Sequence, residues 1–300
     1  MNLQRQTKNS LAAWSLASPG VLGLFLFMLF PFLIAVILSF SSYRLNSPLP
    51  LRWVGIENYL DLFTQSDFSR AILNNLIFTA LVVPLQTSLA LMLALLVNQR
   101  LRGMTVFRTV FFLPVIYPMA LVSVVWGLIF APGQVGLMNQ FLEFISFGYW
   151  HMSVDFLRNP YLALPCIIVM SVWQGVGFQM VILLAALQGI PETLYESARI
   201  DRAGSWARFR HITLPQLRNS LIFVAMVTTI LAFRLFDQIW ILTRGGPDNA
   251  TTTVMYEAFL ASRERNQIGL GSAMTVIFFI LVGLVALIQH FGIRQRREVE

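Results

Sequence analysis

Apolar positions along the 300 residues fall into six long runs separated by shorter polar stretches: residues 20–40, 72–97, 109–130, 161–187, 220–242 and 269–288. A hydrocarbon layer of about 30 Å needs roughly 20 apolar residues in helical form, so each run is long enough to cross it. Prolines interrupt four of the runs: Pro31, Pro84, Pro114 with Pro118, and Pro165. Within lipid such prolines are tolerated where neighbouring helices re-satisfy the freed carbonyls, so kinks rather than breaks are expected. The pattern predicts an all-α integral membrane protein of six transmembrane helices. Arg5 and Lys8 form a basic start, but the apolar run that follows continues to Phe40. That is too long for a signal-peptide core, no convincing cleavage site follows, and the run is read as an uncleaved first span.

Composition agrees. The chain is 57% hydrophobic and only 12% charged, with far less charge than a soluble domain of this size carries. Its net charge of +7 is better explained by loop placement than by nucleic acid, for which no role is expected. One set of connections holds Arg5 and Lys8, Arg100, Arg102 and Arg108, Arg199, Arg202, Arg208, Arg210 and Arg218, and Arg294, Arg296 and Arg297. The opposite set holds Arg44, Arg52, Arg70, Arg158, Arg244, Arg263 and Arg265. Thirteen against seven predicts that both termini lie in the cytoplasm. The expected organisation is a cytoplasmic segment at 1–19, a six-helix domain at 20–290 with a cytoplasmic loop at 188–215, and a basic tail at 291–300. Cys166 is alone, which excludes an intrachain disulfide, and His151, His211 and His290 lie far apart in sequence. No metal site is expected from them.

The loop between the fourth and fifth runs carries the most information. Pro191 suits the first turn of a helix, and Glu192 and Glu196 favour its positive N-terminal end. Leu194, Ala198 and Asp201 follow at helical spacing. Gly204 offers a left-handed stop, Ser205 a cap for a second short helix to Arg210, and Pro215 precedes the next span. The prediction is a helix–turn–helix along the membrane surface. Its arginines would also suit an amphipathic loop resting on lipid headgroups.

In Glu196, Ala198, Asp201, Ala203, Phe209, Ile212, Leu214 and Pro215 the loop resembles the cytoplasmic EAA loop of permease subunits in binding-protein-dependent ABC importers. Two positions depart from the pattern: Ser197 stands for an alanine and Arg202 for the usual glycine. WVGIENY (53–59), FRTVFFLP (107–114), the segment 126–136, LQGIPETLYE (187–196) and LTRGGPDNATTT (242–253) are similar to the sugar-uptake branch, which includes the first permeases of maltose-type and glycerol-3-phosphate-type systems. The resemblance implies that the first loop helix docks in a cleft of a cytoplasmic ATPase. Glu196 would pair with a basic residue there, Leu194, Ala198 and Ile200 would supply apolar contact, and Asp201 and Gly204 would shape the turn. It further implies two ATPase subunits carrying ATP and Mg, a second, similar but non-identical permease completing a heterodimer, a periplasmic substrate-binding protein, and a bacterial inner membrane. A phosphate-binding loop needs Gly-x4-Gly-Lys-Ser/Thr. The single lysine, Lys8, has no such context, so the chain itself is expected to bind no cofactor and to be a non-catalytic subunit.

Polar residues inside apolar runs are costly and face a cavity or a partner. Arg234 and Asp237 stand three apart in the fifth run, either lining a path or forming a structural pair. Gln174 and Gln179 flank Gly175 and Gly177, with Trp173 just before. They suit either sugar contact or helix–helix packing through small residues. Asn74 and Asn75 are read as interfacial, and Trp53, Tyr59 and residues 245–253 as exposed contacts for a binding protein. An ion-coupled secondary carrier would show internal repeats and intramembrane carboxylates, of which only Asp237 is available. A membrane-embedded enzyme would need nucleophile–base or metal-ligand groupings. A permease for another solute, such as a peptide or polyamine, is the nearest competitor. Oligosaccharide, polyol and glycerol phosphate all fit as substrate.

Overall fold

The computed structural model describes residues 16–46, 50–99, 103–147 and 153–294. Arg5, Lys8, Arg100, Arg102, His151, Arg296 and Arg297 lie outside them. So do residues 1–15 of the expected N-terminal segment and 295–300 of the expected tail. The described residues are helical, with a single isolated bridge between Ser41 and Trp53. In chain order the helices are α1 (Leu16–Leu38), α2 (Glu57–Thr64), α3 (Ser66–Val97), α4 (Met104–Ile116), α5 (Met119–Ile129), α6 (Leu137–Ile145), α7 (Ala163–Gln188), α8 (Glu192–Ile200), α9 (Ser205–Gln216), α10 (Arg218–Phe233), α11 (237–243), α12 (Val254–Phe259) and α13 (Ile268–Arg294).

Four helices are long and apolar enough to cross a membrane alone, namely α1, α3, α7 and α13. The count reaches six when the bent pairs α4–α5 and α9–α10 each serve as one span. The expected six runs therefore survive as apolar segments, but two are not simple rods. The third run does not kink; it breaks. α4 and α5 meet at 99° because Pro118 forces the preceding Tyr117 into extended backbone, with φ −80° and ψ 135°. Pro84, by contrast, sits within an unbroken α3. The fifth run also breaks, since α10 stops at Phe233 and helix resumes only at Asp237.

The chain divides into two compact units. One comprises Met1–Gln65 with Glu257–Phe278. In it Gly269 N–H donates to the Tyr43 carbonyl and Leu45 N–H to that of Asn266, at 3.0 and 2.9 Å. Asn58 holds α2 through the carbonyls of Ser39 and Ser41, and the Tyr59 hydroxyl meets Ser39 Oγ at 2.6 Å. Tyr59 is thus half-buried rather than an open contact residue, whereas Trp53 is exposed. The apolar window of α1 buries no residue.

The second unit, Ser66–Tyr256 with Phe279–Glu300, is built on α3 lying along α7, with α4 and α10 against the same pair. Ala90, Ala94 and Val97 of α3 meet Val176, Met180, Leu183 and Leu187 of α7, with Leu217 and Val224 closing the cluster. Small residues on one helix admit larger ones from the other, and van der Waals packing of this kind holds helices together where lipid supplies no hydrophobic drive. At Gly177 a Cβ would collide with the Phe111 carbonyl of α4, so that glycine serves helix packing. Arg108 donates to the Val97 carbonyl at 2.9 Å, placing a cation on the C-terminal end of α3.

Two expectations fail at the far end of α3. Asn74 and Asn75 are buried, not interfacial, and the segment 250–254 is buried too. The reason is a set of long-range hydrogen bonds. Asn74 Nδ2 donates to the carbonyls of Asn249 and Thr252, both at 2.9 Å. Asn75 Nδ2 donates to the Phe233 carbonyl at 3.3 Å, while its Oδ1 accepts from Val254 N–H at 2.9 Å. Asn249 in turn donates to Asp67 at 2.9 Å. Thr251, Thr252 and Thr253 are fully buried and cannot serve as an exposed docking strip.

Substituting Gly177→Ala should lower the thermal stability of the detergent-solubilised protein by about 1–3 kcal/mol, the usual effect of overpacking. Gly283→Ala, whose new Cβ would meet nothing within 4 Å, should be neutral or stabilising. Equal melting temperatures for the two variants would contradict the packing assigned to Gly177.

Candidate functional site

A cavity of about 450 Å³ opens within the second unit, walled by α3, α4, α5, α7 and the end of α10. α7 contributes Ser171, Gln174, Gly175, Phe178 and Gln179, which recur at three- and four-residue intervals and share one helical face. Gln86, Phe78 and Val82 come from α3, and Thr228, Leu231 and Ala232 from α10. Arg234, Asp237 and Gln238 enter from the break beyond α10. Five of the six residues proposed for a path are thereby brought together: Gln174, Gly175, Gln179, Arg234 and Asp237. Trp173 lies on the opposite face of α7, where its ring packs edge-on to Trp126 at 5.6 Å. Phe178 takes the place of the aromatic expected from Trp173.

Arg234 and Asp237 are both exposed in this cavity, and no ion pair joins them. The interval of three residues implied a shared helical face, but the helix is interrupted between them. At Gly175 an added Cβ would displace the Gln86 carboxamide, the end of a flexible side chain that packs against this glycine. Gln179 Nε2 donates to Thr228 Oγ1, while Gln179 Oε1 is buried and has no hydrogen-bond partner. A buried acceptor without a partner is unfavourable by about 1–3 kcal/mol. Gln238 Nε2 reaches Ser171 Oγ at 3.4 Å.

The second candidate is the loop of α8 and α9. No residue of α8 is buried. Glu196 and Ile200 lie four apart on its outward face, with Ile200 82% exposed. Leu194 and Ala198 form a separate pair on another face, Ala198 being half-buried. Asp201 ends the helix and Gly204 caps the next, both exposed. Tyr195 OH and Thr213 Oγ1 lie 2.9 Å apart and tie α8 to α9. Glu192 pairs with Arg199 at 3.8 Å, an exposed contact of small energy. Glu196 forms no ion pair among the described residues. Trp206, 72% exposed and tilted against Phe209 at 5.5 Å, is a further apolar group on this surface.

The turn differs from expectation. Gly204 is extended, at φ −65° and ψ 166°; the left-handed residue is Arg202, at φ +56°. Arg202 N–H donates to the Arg199 carbonyl and Ala203 N–H to that of Ala198, at 3.0 and 2.9 Å. This pair of bonds is the Schellman closure of a helix, whose left-handed position is ordinarily glycine.

Residues 65–299 match the family described as the binding-protein-dependent transport system inner membrane component. The chain belongs to this family. The permease is 33% identical over 286 residues to the probable ABC transporter permease protein YesP of Bacillus subtilis (strain 168), covering 94% of this chain and 90% of that protein. It is 30% identical to the lactose transport system permease protein LacF of Rhizobium radiobacter, with 95% and 94% covered. Against the trehalose/maltose transport system permease protein MalF of Thermococcus litoralis it is 36% identical, with 77% and 76% covered. Its fold matches a chain of a bacterial ABC transporter involved in the import of the acidic polysaccharide alginate, with a TM-score of 0.82 at 21% identity over 99% of this chain and 100% of that one. It matches equally a chain of the alginate transporter in complex with an alginate pentasaccharide-bound periplasmic protein, at a TM-score of 0.83, 21% identity and 100% and 99% coverage. The permease is a multi-pass membrane protein and a transport subunit.

Sequence reasoning missed Gln86, Phe78, Ser171, Phe178, Thr228 and Gln238. Ser171 and Phe178 were within reach, because they follow from extending the Gln174–Gly175 face by one helical turn each way. Gln86 and Thr228 required knowing which helices adjoin.

Replacing Arg202 by glycine should remove left-handed strain and stabilise the loop by about 1 kcal/mol. Gly204→Ala, at an ordinary φ with nothing within 4 Å of the new Cβ, should be tolerated. Hydrogen exchange of the α8 amides reads both variants; a turn dependent on Gly204 would give the reverse order.

Proposed function

We propose that this permease is one transmembrane half of an ATP-driven importer that carries a sugar or a related polyol or glycerol phosphate across a bacterial inner membrane. The observation that carries the substrate class is a cavity lined by carboxamides, hydroxyls and aromatic rings. Hydroxyl-rich ligands supply donors and acceptors together. The apolar faces of sugar rings suit Phe78 and Phe178, while Arg234 and Asp237 can make charge-assisted hydrogen bonds. Relatives named for lactose and for trehalose and maltose support the same class.

A second, similar permease completes the path, two ATPase subunits carrying ATP and Mg drive it, and a periplasmic binding protein delivers substrate. Both termini and the α8–α9 loop face the cytoplasm. Glu196 and Ile200, presented outward on α8, enter a cleft of one ATPase subunit, where Glu196 meets a basic side chain. Asp201 and Gly204 set the turn behind them, and Leu194, which is exposed, and Ala198 add apolar contact. ATP-driven closure then moves α8, and α7, one short turn away, carries the displacement to the cavity.

Glu196→Lys should abolish uptake of radiolabelled substrate in whole cells while leaving the amount of membrane-inserted protein unchanged. Undiminished uptake would remove the docking role. Arg234→Gln and Asp237→Asn should each raise the KM for uptake about tenfold, the scale of one lost charge-assisted hydrogen bond. An unchanged KM in both would place the substrate elsewhere.

A further inference from the structure

A helix that stops within the folded protein leaves carbonyls without intrahelical partners, and a buried group left unmet is destabilising by about 1–3 kcal/mol. α10 stops at Phe233, and the next two residues after Arg234 are not helical. The two carbonyls flanking Arg234 are nevertheless met, each by a buried side chain. Asn75 Nδ2 donates to the Phe233 carbonyl at 3.3 Å, and Thr253 Oγ1 donates to the Leu235 carbonyl at 2.9 Å. Both side chains are fully buried. They are also joined in sequence and space, because Asn75 Oδ1 accepts from N–H of Val254, the residue after Thr253.

We propose that Asn75 and Thr253 are positioning residues. By holding the carbonyls on either side of Arg234 they fix the break in α10, and so aim Arg234 and Asp237 into the cavity. The inference rests on reading that cavity as the substrate path. Without the two donors the cheapest way to satisfy the carbonyls is to continue the helix. Continued helix would place Arg234 and Asp237 on one face, near enough to pair with each other rather than with a ligand. The segment 249–254 therefore acts as a clamp on the site it overlies. Asn74 provides an internal comparison, since it anchors the same segment through the Asn249 and Thr252 carbonyls without touching the break.

The test compares Thr253→Val, which keeps the shape and removes the donor, with Thr253→Ser, which keeps the donor, and with Asn74→Ala. Uptake kinetics are measured on the assembled transporter in cells. Separately, labelling of Asp237→Cys by a small hydrophilic thiol reagent is timed on the membrane-inserted chain with Cys166 replaced by alanine. Thr253→Val is expected to raise KM about tenfold with Vmax nearly unchanged, as for loss of an interaction with bound substrate, and to slow labelling at position 237. Thr253→Ser should restore both values. Asn74→Ala should reduce protein yield and thermal stability without changing KM. If Thr253→Val and Asn74→Ala both act only through yield and Vmax, or if labelling is unaffected by Thr253→Val, the positioning role is overturned. Should Arg234→Gln and Asp237→Asn both leave KM unchanged, it is the reading of the cavity that fails, and the labelling rate still decides whether Thr253 sets the break.

Discussion

Every peptide group within a hydrocarbon layer has to find a hydrogen-bond partner inside the protein, and the form of this permease follows from how it meets that demand where its helices are not continuous. α3 and α7 are unbroken, with their hydrogen bonds internal, and they form the frame. α10 breaks, and the frame supplies Asn75 as a donor to the Phe233 carbonyl at its end. Irregular backbone within a membrane protein is tolerated where it is buried in protein or lines a cavity. Here it does both: its carbonyls are held from behind while Arg234 and Asp237 line the open side.

α7 connects the two candidate sites mechanically. It carries five cavity residues on one face, packs Met180, Leu183 and Leu187 against α3 below them, and ends at Gln188 just before Pro191 opens the loop. From Gln179 to Gln188 the helix rises about 13 Å. A packed helix of that length moves as a body, so a displacement at the loop reaches the cavity without a chain of intermediate contacts. Gly177 lets α4 press against this same stretch.

Much of the fold was legible in the apolar runs, whose length is dictated by the bilayer. The loop helices were legible in their positions, with Pro191 before α8, whereas the cap expected of Ser205 falls to Gly204 and α9 runs past Arg210 to Gln216. The departures share a cause, since each depends on partners distant in sequence. Asn74 reads as an interfacial polar residue until Asn249 and Thr252 are known to lie against it. The threonines 251–253 read as an exposed polar strip for the same reason. Arg234 and Asp237 read as a helical pair because the break between them is held by Asn75, more than a hundred residues earlier. Trp173 is a different kind of miss, because its position on α7 was computable from its neighbours and the chemistry of the indole was given more weight than its angle. At Arg202 the closure bonds, rather than the residue type, locate the left-handed position.

The polar part of the cavity is dominated by carboxamides, with Gln86, Gln174, Gln179 and Gln238 around one volume. A carboxamide presents a donor and an acceptor at the end of a rotatable arm, and a half-turn exchanges them. Around a bound sugar such a rim would meet axial and equatorial alcohols almost equally well wherever a carboxamide can turn, whereas Gln179 and Gln238 are held by Thr228 and Ser171. Stereochemical choice falls instead to the rigid walls, Phe78 and Phe178, and to the fixed charges at Arg234 and Asp237. On the proposed reading of the cavity as substrate path, such a lining would favour breadth over selectivity, admitting a set of epimers and chain lengths and leaving fine discrimination to a step before entry.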